Sequence, residues 1–238
     1  MRNALYPTLA KRVLDRRSLS EHLRTVIADS RSRQELFTVF LVRARGMRRI
    51  NALFGYDAGE RVANEAAASI LRSFPDCDAL GWLSSDELLI VSRDCNSPSC
   101  AIFGGKTAIA TLTNPLLIEG SQCLLEPVVG IAVFPVDGSN ETDLVRHAAL
   151  AAERAEVARD PLYAFFTPAL GIAAREEYSV QQEVRLAISR KEFELFYQPK
   201  LAARTRRLIG AEALLRWHHP DGGLRTRTRS FPSPNAAT

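Results

Sequence analysis

The sequence predicts an α/β fold class: one α/β sandwich domain ending near Phe166, followed by the first strands of a second domain. Three observations carry that reading. Short apolar runs rich in β-branched and aromatic residues alternate with segments whose apolar residues recur at helical spacing. Their order, β, α, α, β, β, α, β, α, suits a single sheet covered by helices. After Thr167-Pro168 the pattern changes, and 238 residues leave room for one large domain or two modest ones at roughly 100 to 200 residues each.

Taken in order, residues 36–42, LFTVFLV, are a short apolar run bounded by Arg and Gly, the pattern of a buried strand. From Met47 to about Ser73 the residues Ile50, Leu53, Val62, Ala66, Ile70 and Leu71 recur at helical spacing, and the glycines of GYDAG break the run into two helices. Residues 79–92, ALGWLSSDELLIVS, read as a hairpin with Ser84, Ser85 and Asp86 at its tip. Residues 99–112 suit a third helix, 128–135 (VVGIAVFP) a central strand stopped by proline, and 140–158 an alanine-rich helix. Beyond Pro168, residues 169–191 alternate charged and apolar positions at helical spacing. FELFYQP then forms a strand closed by Pro199, AARTRR a polar turn, and LIGAEALLRW a second strand, together a hairpin that opens the second domain. Residues 225–238 show no periodicity.

Composition excludes several classes. With 46% hydrophobic, 24% charged and 8% aromatic residues the chain can bury a core. The net charge of +4 owes three units to Arg225, Arg227 and Arg229, so residues 1–224 carry only +1 and a nucleic-acid footprint is not supported. No apolar run reaches the roughly 18 residues of a membrane span. The N-terminus alternates charges with short apolar pairs, without the apolar stretch of a signal peptide, so a cytoplasmic setting is expected. Cys77, Cys95, Cys100 and Cys123 form no CxxC pair and are expected as free, partly buried thiols. His218 and His219 are adjacent on a strand, which points them to opposite faces and argues against a shared metal.

The strongest local signal is Tyr197-Gln198-Pro199 followed by EALLRWHHPDGG (Glu212 to Gly223). It resembles the start of the EAL family, the cyclic di-GMP phosphodiesterases, whose (β/α)8 barrel opens with a YQP strand and then an EALxRW strand. The resemblance makes Glu212 a hard oxygen ligand to one of two divalent ions, Mg2+ or Mn2+, that activate water in the intact family. It makes Arg216 a phosphate clamp, with Gln198 and Leu214 lining the pocket. It covers only residues 176–224, whereas such a barrel needs about 250 residues. The later Asn, second Glu, paired Asp and Lys have no counterpart, so the chain as written is expected to hold no metal and hydrolyse nothing. Where family members continue with a pattern like FIPxAE, this chain reads RTRTRSFPSPNAAT; back-translation in another frame permits PDAFIPIAE, which implies a frameshift after Leu224.

Residues 5–166 resemble the GGDEF family, the diguanylate cyclases. FLVRARGMRRINALFGYDAGERVANEAA stands where those proteins have a metal-binding Asp strand and an IND…GH…GD helix pair, and VVGIAVFPVDG stands for SIGIAxYPxDG. The signature itself is degenerate: Ser84, Ser85, Asp86, Glu87, Leu88, with both glycines replaced where phosphates must approach the backbone. The first metal Asp aligns with Arg43 and the late Lys with Glu156. Asn51 and Glu60 stand at the guanine-contacting positions, as vestigial nucleotide contacts. The inhibitory RxxD site would run from Pro75 to Asp78, without its Arg.

The resemblances therefore imply a degenerate GGDEF-like α/β sandwich over residues 1–168, a linker helix with the first strands of an incomplete EAL-type (β/α)8 barrel over 169–224, and a frameshifted tail over 225–238. The expected function is that of a truncated cyclic di-GMP signalling protein without catalysis, cyclic di-GMP being the family ligand. The alternatives are a regulatory module that contacts a protein partner or a second copy through the GGDEF-like domain, a phosphodiesterase if the frame is restored, and a decayed remnant.

Overall fold

The computed structural model describes residues 13–118, 121–220 and 223–226, so residues 1–12 and most of the tail, 227–238, lie outside the described part. The chain divides into two compact units, Met1–Gly171 and Ile172–Thr238.

In the first unit the elements run β1 (Val13–Leu14), α1 (Arg16–Arg33), β2 (Phe37–Arg45), α2 (Met47–Phe54), α3 (Tyr56–Ser73), β3 (Ala79–Trp82), β4 (Glu87–Ser92), α4 (Pro98–Thr113), β5 (Leu116–Ile118), β6 (Ser121–Cys123), β7 (Glu126–Phe134), α5 (Glu141–Ala158) and β8 (Tyr163–Phe165). Six strands form one sheet in the order β1-β3-β4-β2-β7-β8. β2 is antiparallel to both β4 and β7, while β1 joins β3 and β8 joins β7 in parallel.

The unbroken apolar character of β2 has a direct cause: both faces of the sheet are covered. Phe40, Val42 and Ala44 face a core built with α2, α3 and α4, through Ile50, Val62, Ala66, Ile70 and Leu112. Phe37, Val39 and Leu41 face a second core built with α1 and α5, through Leu19, Leu23, Val26, Leu144, Ala148 and Ala152. Gly130 lets α5 lie directly on β7, because a Cβ there would meet the Ala148 carbonyl at 1.8 Å and the Ala152 nitrogen at 2.4 Å.

The sequence pattern missed five elements. Helix α1 carries so many charges that its N-terminal half reads as alternating polar and apolar pairs. Its buried stripe, Leu19, Leu23, Val26, Ile27 and Ser30, nevertheless has helical spacing, and Asp15 caps it by accepting the Ser18 N–H. The strands β1 and β8 and the β5–β6 hairpin are two or three residues long, too short to show a period. Leu53, placed on the apolar face of α2, is instead 64% exposed, and the residues that this helix buries are Met47 and Ile50.

The second unit contains most of α6 (Pro168–Ser189), then β9 (Phe193–Leu201), β10 (Leu208–His218) and β11 (Leu224–Thr226), in the sheet order β11-β10-β9. β9 and β10 form the hairpin that the YQP and EALLRW runs announce. The start of the tail departs from expectation: Leu224–Thr226 pairs with Arg216–His218 as a third strand.

Candidate functional site

The tip of the β3–β4 hairpin is the focus of the first unit. Its turn is organised by its own polar side chains: the Ser84 hydroxyl donates to Asp86 Oδ1 at 3.0 Å and accepts the Asp86 N–H at 3.4 Å. The Asp86 carbonyl accepts the Ala44 N–H at 2.7 Å, which ties the tip to β2. Glu87 begins β4 directly opposite Arg43 of β2. Opposed residues of an antiparallel pair share a face, so the two side chains meet.

Arg43 donates through Nε and Nη2 to Glu87 Oε1 at 3.3 and 3.1 Å, and through Nη1 to Glu156 Oε2 on α5 at 3.0 Å. Burial alone would lower the Arg43 pKa, but the hydrogen bonds to Glu156 and Glu87 prevail and hold it above its ordinary value. Arg45, two residues along and on the same face, lies 3.7 Å from Glu156 and 3.2 Å from Glu126. Arg48 of α2 stands 3.7 Å from Asp86. Arg43, Arg45, Arg48, Asp86, Glu87 and Glu156 line an open cavity of about 570 Å³ together with Gly46, Ser84 and Ser85. The sequence aligned Arg43 and Glu156 with family positions but did not foresee that they would pair.

The other family-aligned positions are not among the residues that line this cavity. Leu88 is fully buried in the core beside β2. Asn51 is half-buried on α2, with its amide against Gly59, where a Cβ would collide with Oδ1 at 1.6 Å. Glu60 is exposed on α3. Asp78, the surviving acid of the RxxD position, is held by Arg93: Oδ1 accepts from Nε at 2.5 Å and Oδ2 accepts the Arg93 N–H at 2.7 Å. The side-chain hydrogen bond to Asp78 raises the Arg93 pKa. The carboxylate is thus already engaged within the domain.

In the second unit, Glu212 is directly opposite Gln198, Leu214 opposite Phe196 and Arg216 opposite Glu194. Alternation along the strands puts Gln198, Glu212, Leu214 and Arg216 on one face of the hairpin, as a shared site requires. Glu212 pairs with Lys200 at 3.2 Å, and both side chains remain more than half exposed. The Arg216 guanidinium lies 5.8 Å from the centre of the Phe196 ring, within cation–π range. The two histidines reach different carboxylates: His218 Nε2 is 2.8 Å from Glu194 and His219 Nε2 is 3.8 Å from Glu183. Trp217, 3% exposed, donates its Nε1–H to Glu192.

Neither site offers a divalent cation a set of hard oxygen ligands. At the hairpin tip a guanidinium fills the space between the two carboxylates. On β10 a single carboxylate is neutralised by an ammonium. Among the described residues no three His, Cys, Asp or Glu side chains converge as a metal cage. Among them, too, no helix is long and apolar enough to cross a membrane, and all four cysteines are free.

Comparison with known proteins matches this division. Residues 11–160 match the family described as diguanylate cyclase, GGDEF domain, and residues 181–235 match the EAL domain, across part of the segment set apart as a tail. The bifunctional diguanylate cyclase/cyclic di-GMP phosphodiesterase MucR of Pseudomonas aeruginosa is 29% identical over 231 residues, which cover 96% of this chain and 33% of MucR. The cyclic di-GMP phosphodiesterase NbdA of the same organism is 28% identical over 74% of this chain and 22% of its own length. The chain thus spans a third or less of these curated relatives. Among solved structures, the GGDEF domain of TpbB (YfiN) from Pseudomonas aeruginosa superposes with a TM-score of 0.61 at 19% identity, over 68% of this chain and 95% of that one. The S helix-GGDEF-EAL portion of LapD from Vibrio cholerae, bound to c-di-GMP, gives 0.54 at 14% identity over 91% of this chain and 50% of its own. At these identities the likeness is one of fold.

Proposed function

Because the chain belongs to the diguanylate cyclase GGDEF-domain family and carries a partial EAL domain behind it, we propose that its first domain is a regulatory module of cyclic di-GMP signalling that works by protein contact and makes no cyclic dinucleotide. One observation carries this reading: Arg43 is clamped between Glu87 and Glu156 at the hairpin tip, where cyclase chemistry needs a cation and a bound triphosphate. Ser84 and Ser85 support it, since their Cβ atoms and hydroxyls occupy the tip where glycines would let phosphates reach the backbone. The partner is another signalling protein or a second copy of the chain.

The test is incubation of the full chain with GTP and either Mg2+ or Mn2+, with separation of the nucleotides. The expected result is unchanged GTP, and formation of cyclic di-GMP would sink the proposal. Sedimentation over a range of concentrations, alone and with candidate signalling proteins, tests the contact role. A monomer that associates with none of them would remove it.

For the second unit, the placement of Gln198, Glu212, Leu214 and Arg216 on one face supports a phosphodiesterase reading when an EAL barrel is complete. Glu212 would then contribute one metal ligand and Arg216 a phosphate contact. In this chain the arginine-rich segment after Leu224 is read as a change of frame. DNA sequence across codon 224 that joins HPDGGL to a frame encoding FIPxAE would support that reading, and the absence of any such frame would overturn it.

A further inference from the structure

We infer that the Arg43 guanidinium is a built-in cation: it gives the hairpin tip the positive charge that its carboxylates demand, so that the tip needs no metal ion. Two carboxylates converge on this one group from different elements, Glu87 from the start of β4 and Glu156 from the last turn of α5. Each lies within 3.1 Å of a guanidinium nitrogen, and all three side chains are roughly one-quarter to one-third exposed, so the contacts are only partly screened by water. Among the groups that line the cavity, Arg43, Arg45 and Arg48 equal Asp86, Glu87 and Glu156 in number, and Arg45 also meets the largely exposed Glu126 outside the lining.

The guanidinium suits this task better than an ammonium would. Its planar fork presents donors in two directions, so Nε and Nη2 serve Glu87 while Nη1 serves Glu156. The result links β2, β4 and α5 through one side chain. Without Arg43, two carboxylates would face one another across the space it fills. An acid in its place would add a third carboxylate from β2, and an oxygen-only cluster of that kind is what a hard divalent ion binds. The inference is independent of the contact role proposed above and concerns how the site holds itself together.

The experiment compares thermal midpoints of the full chain in EDTA and in millimolar MnCl2, with Mn2+ binding followed by electron paramagnetic resonance. Wild type is expected to melt at the same temperature in both and to leave the free Mn2+ signal unchanged. Arg43→Asp is expected to melt several degrees lower in EDTA, to recover part of that loss in Mn2+, and to bind one ion. Adding Glu156→Gln should abolish the recovery, which places the ion at this cluster and not on another acidic surface. Arg43→Lys should lose part of the EDTA midpoint and acquire no Mn2+ response. If Arg43→Asp does not accumulate as folded protein, Arg43→Ala gives the same reading, with a lowered midpoint in EDTA that Mn2+ raises. Three results would overturn the inference: a wild-type midpoint raised by Mn2+ and made insensitive by Glu87→Gln, a folded Arg43→Asp that ignores Mn2+, or an Arg43→Ala midpoint in EDTA equal to wild type.

Discussion

Arg43–Glu87 in the first unit and Lys200–Glu212 in the second are both ion pairs bridging adjacent antiparallel strands, and the resemblances put both acids in functional positions. Their surroundings differ. Arg43 is held by two carboxylates, one from a neighbouring strand and one from a helix, and the side chains of the Arg43–Glu87 pair are 23% and 26% exposed. Lys200 and Glu212 share one contact at 3.2 Å and are 59% and 52% exposed. The first pair is part of how three elements pack; the second is a contact between two solvated side chains. A polar site whose charges are held from several elements at once is structural in its energetics, whereas a solvated carboxylate held by one lysine on an open face is more readily engaged by a ligand.

The largest expected effect breaks the packing under the first pair. Gly130→Ala places a methyl group against the Ala148 carbonyl and Ala152 nitrogen, backbone atoms of α5 that cannot rotate away. α5 must move off β7 and carry Glu156 with it. Overpacking of this kind costs about 3 kcal/mol, readable as a lowered urea midpoint. A midpoint within error of wild type would mean that α5 does not sit on β7 as closely as described.

Next comes Arg43→Met, which keeps the apolar stem and removes the charge. It leaves Glu87 and Glu156 without their shared partner. The expected loss is about 2 kcal/mol, below the roughly 3 to 5 kcal/mol of a fully buried pair because water still reaches these side chains. Denaturant titrations at low and high salt check it. A loss below about 0.5 kcal/mol would erase the contrast between the two pairs.

A smaller effect depends on pH. Burial raises the Asp137 carboxyl above its ordinary 3.8, against the opposing hydrogen bond from the Val133 N–H and the charge of His147. The folded protein therefore keeps this proton to a higher pH than the unfolded chain does. Its contribution to stability is complete below 3.8 and is lost as pH rises through the raised folded value. Asp137→Asn removes this dependence, so wild type should lose stability relative to the variant as pH rises across that window. A constant difference between the two would show that Asp137 titrates alike in both states.

These two sites were unequally legible in the sequence. Strands β9 and β10 were readable because YQP and EALLRW are contiguous, and the period of two then puts Gln198, Glu212, Leu214 and Arg216 on one face without further information. The hairpin tip was readable as a location, since Ser84, Ser85 and Asp86 interrupt two apolar runs. Its ion-pair network was not, because Arg43 and Glu156 are separated by 113 residues and meet only once α5 is laid across the sheet. A paired charge reversal at two positions of one resemblance was the available signal. Helix α1 was lost for a local reason: its charged residues hid a buried stripe that only the Asp15 cap and the Leu19–Leu23–Val26 spacing betray.

The smallest effect is expected where the resemblance to a catalytic residue is strongest. Glu212→Gln removes one charge from a pair that is mostly hydrated and makes a single contact. Exposed pairs of this kind contribute about 0.5 kcal/mol or less, and a glutamine retains an oxygen that can accept from Lys200. The unfolding midpoint of this chain should therefore not move measurably, in contrast to Arg43→Met. If the unfolding free energy falls by more than about 1 kcal/mol, Glu212 is supporting the β9–β10 hairpin, and the distinction between a structural site in the first unit and an open one in the second fails. If it holds, the carboxylate at position 212 carries little structural duty, which is the condition under which a residue is free to serve a ligand.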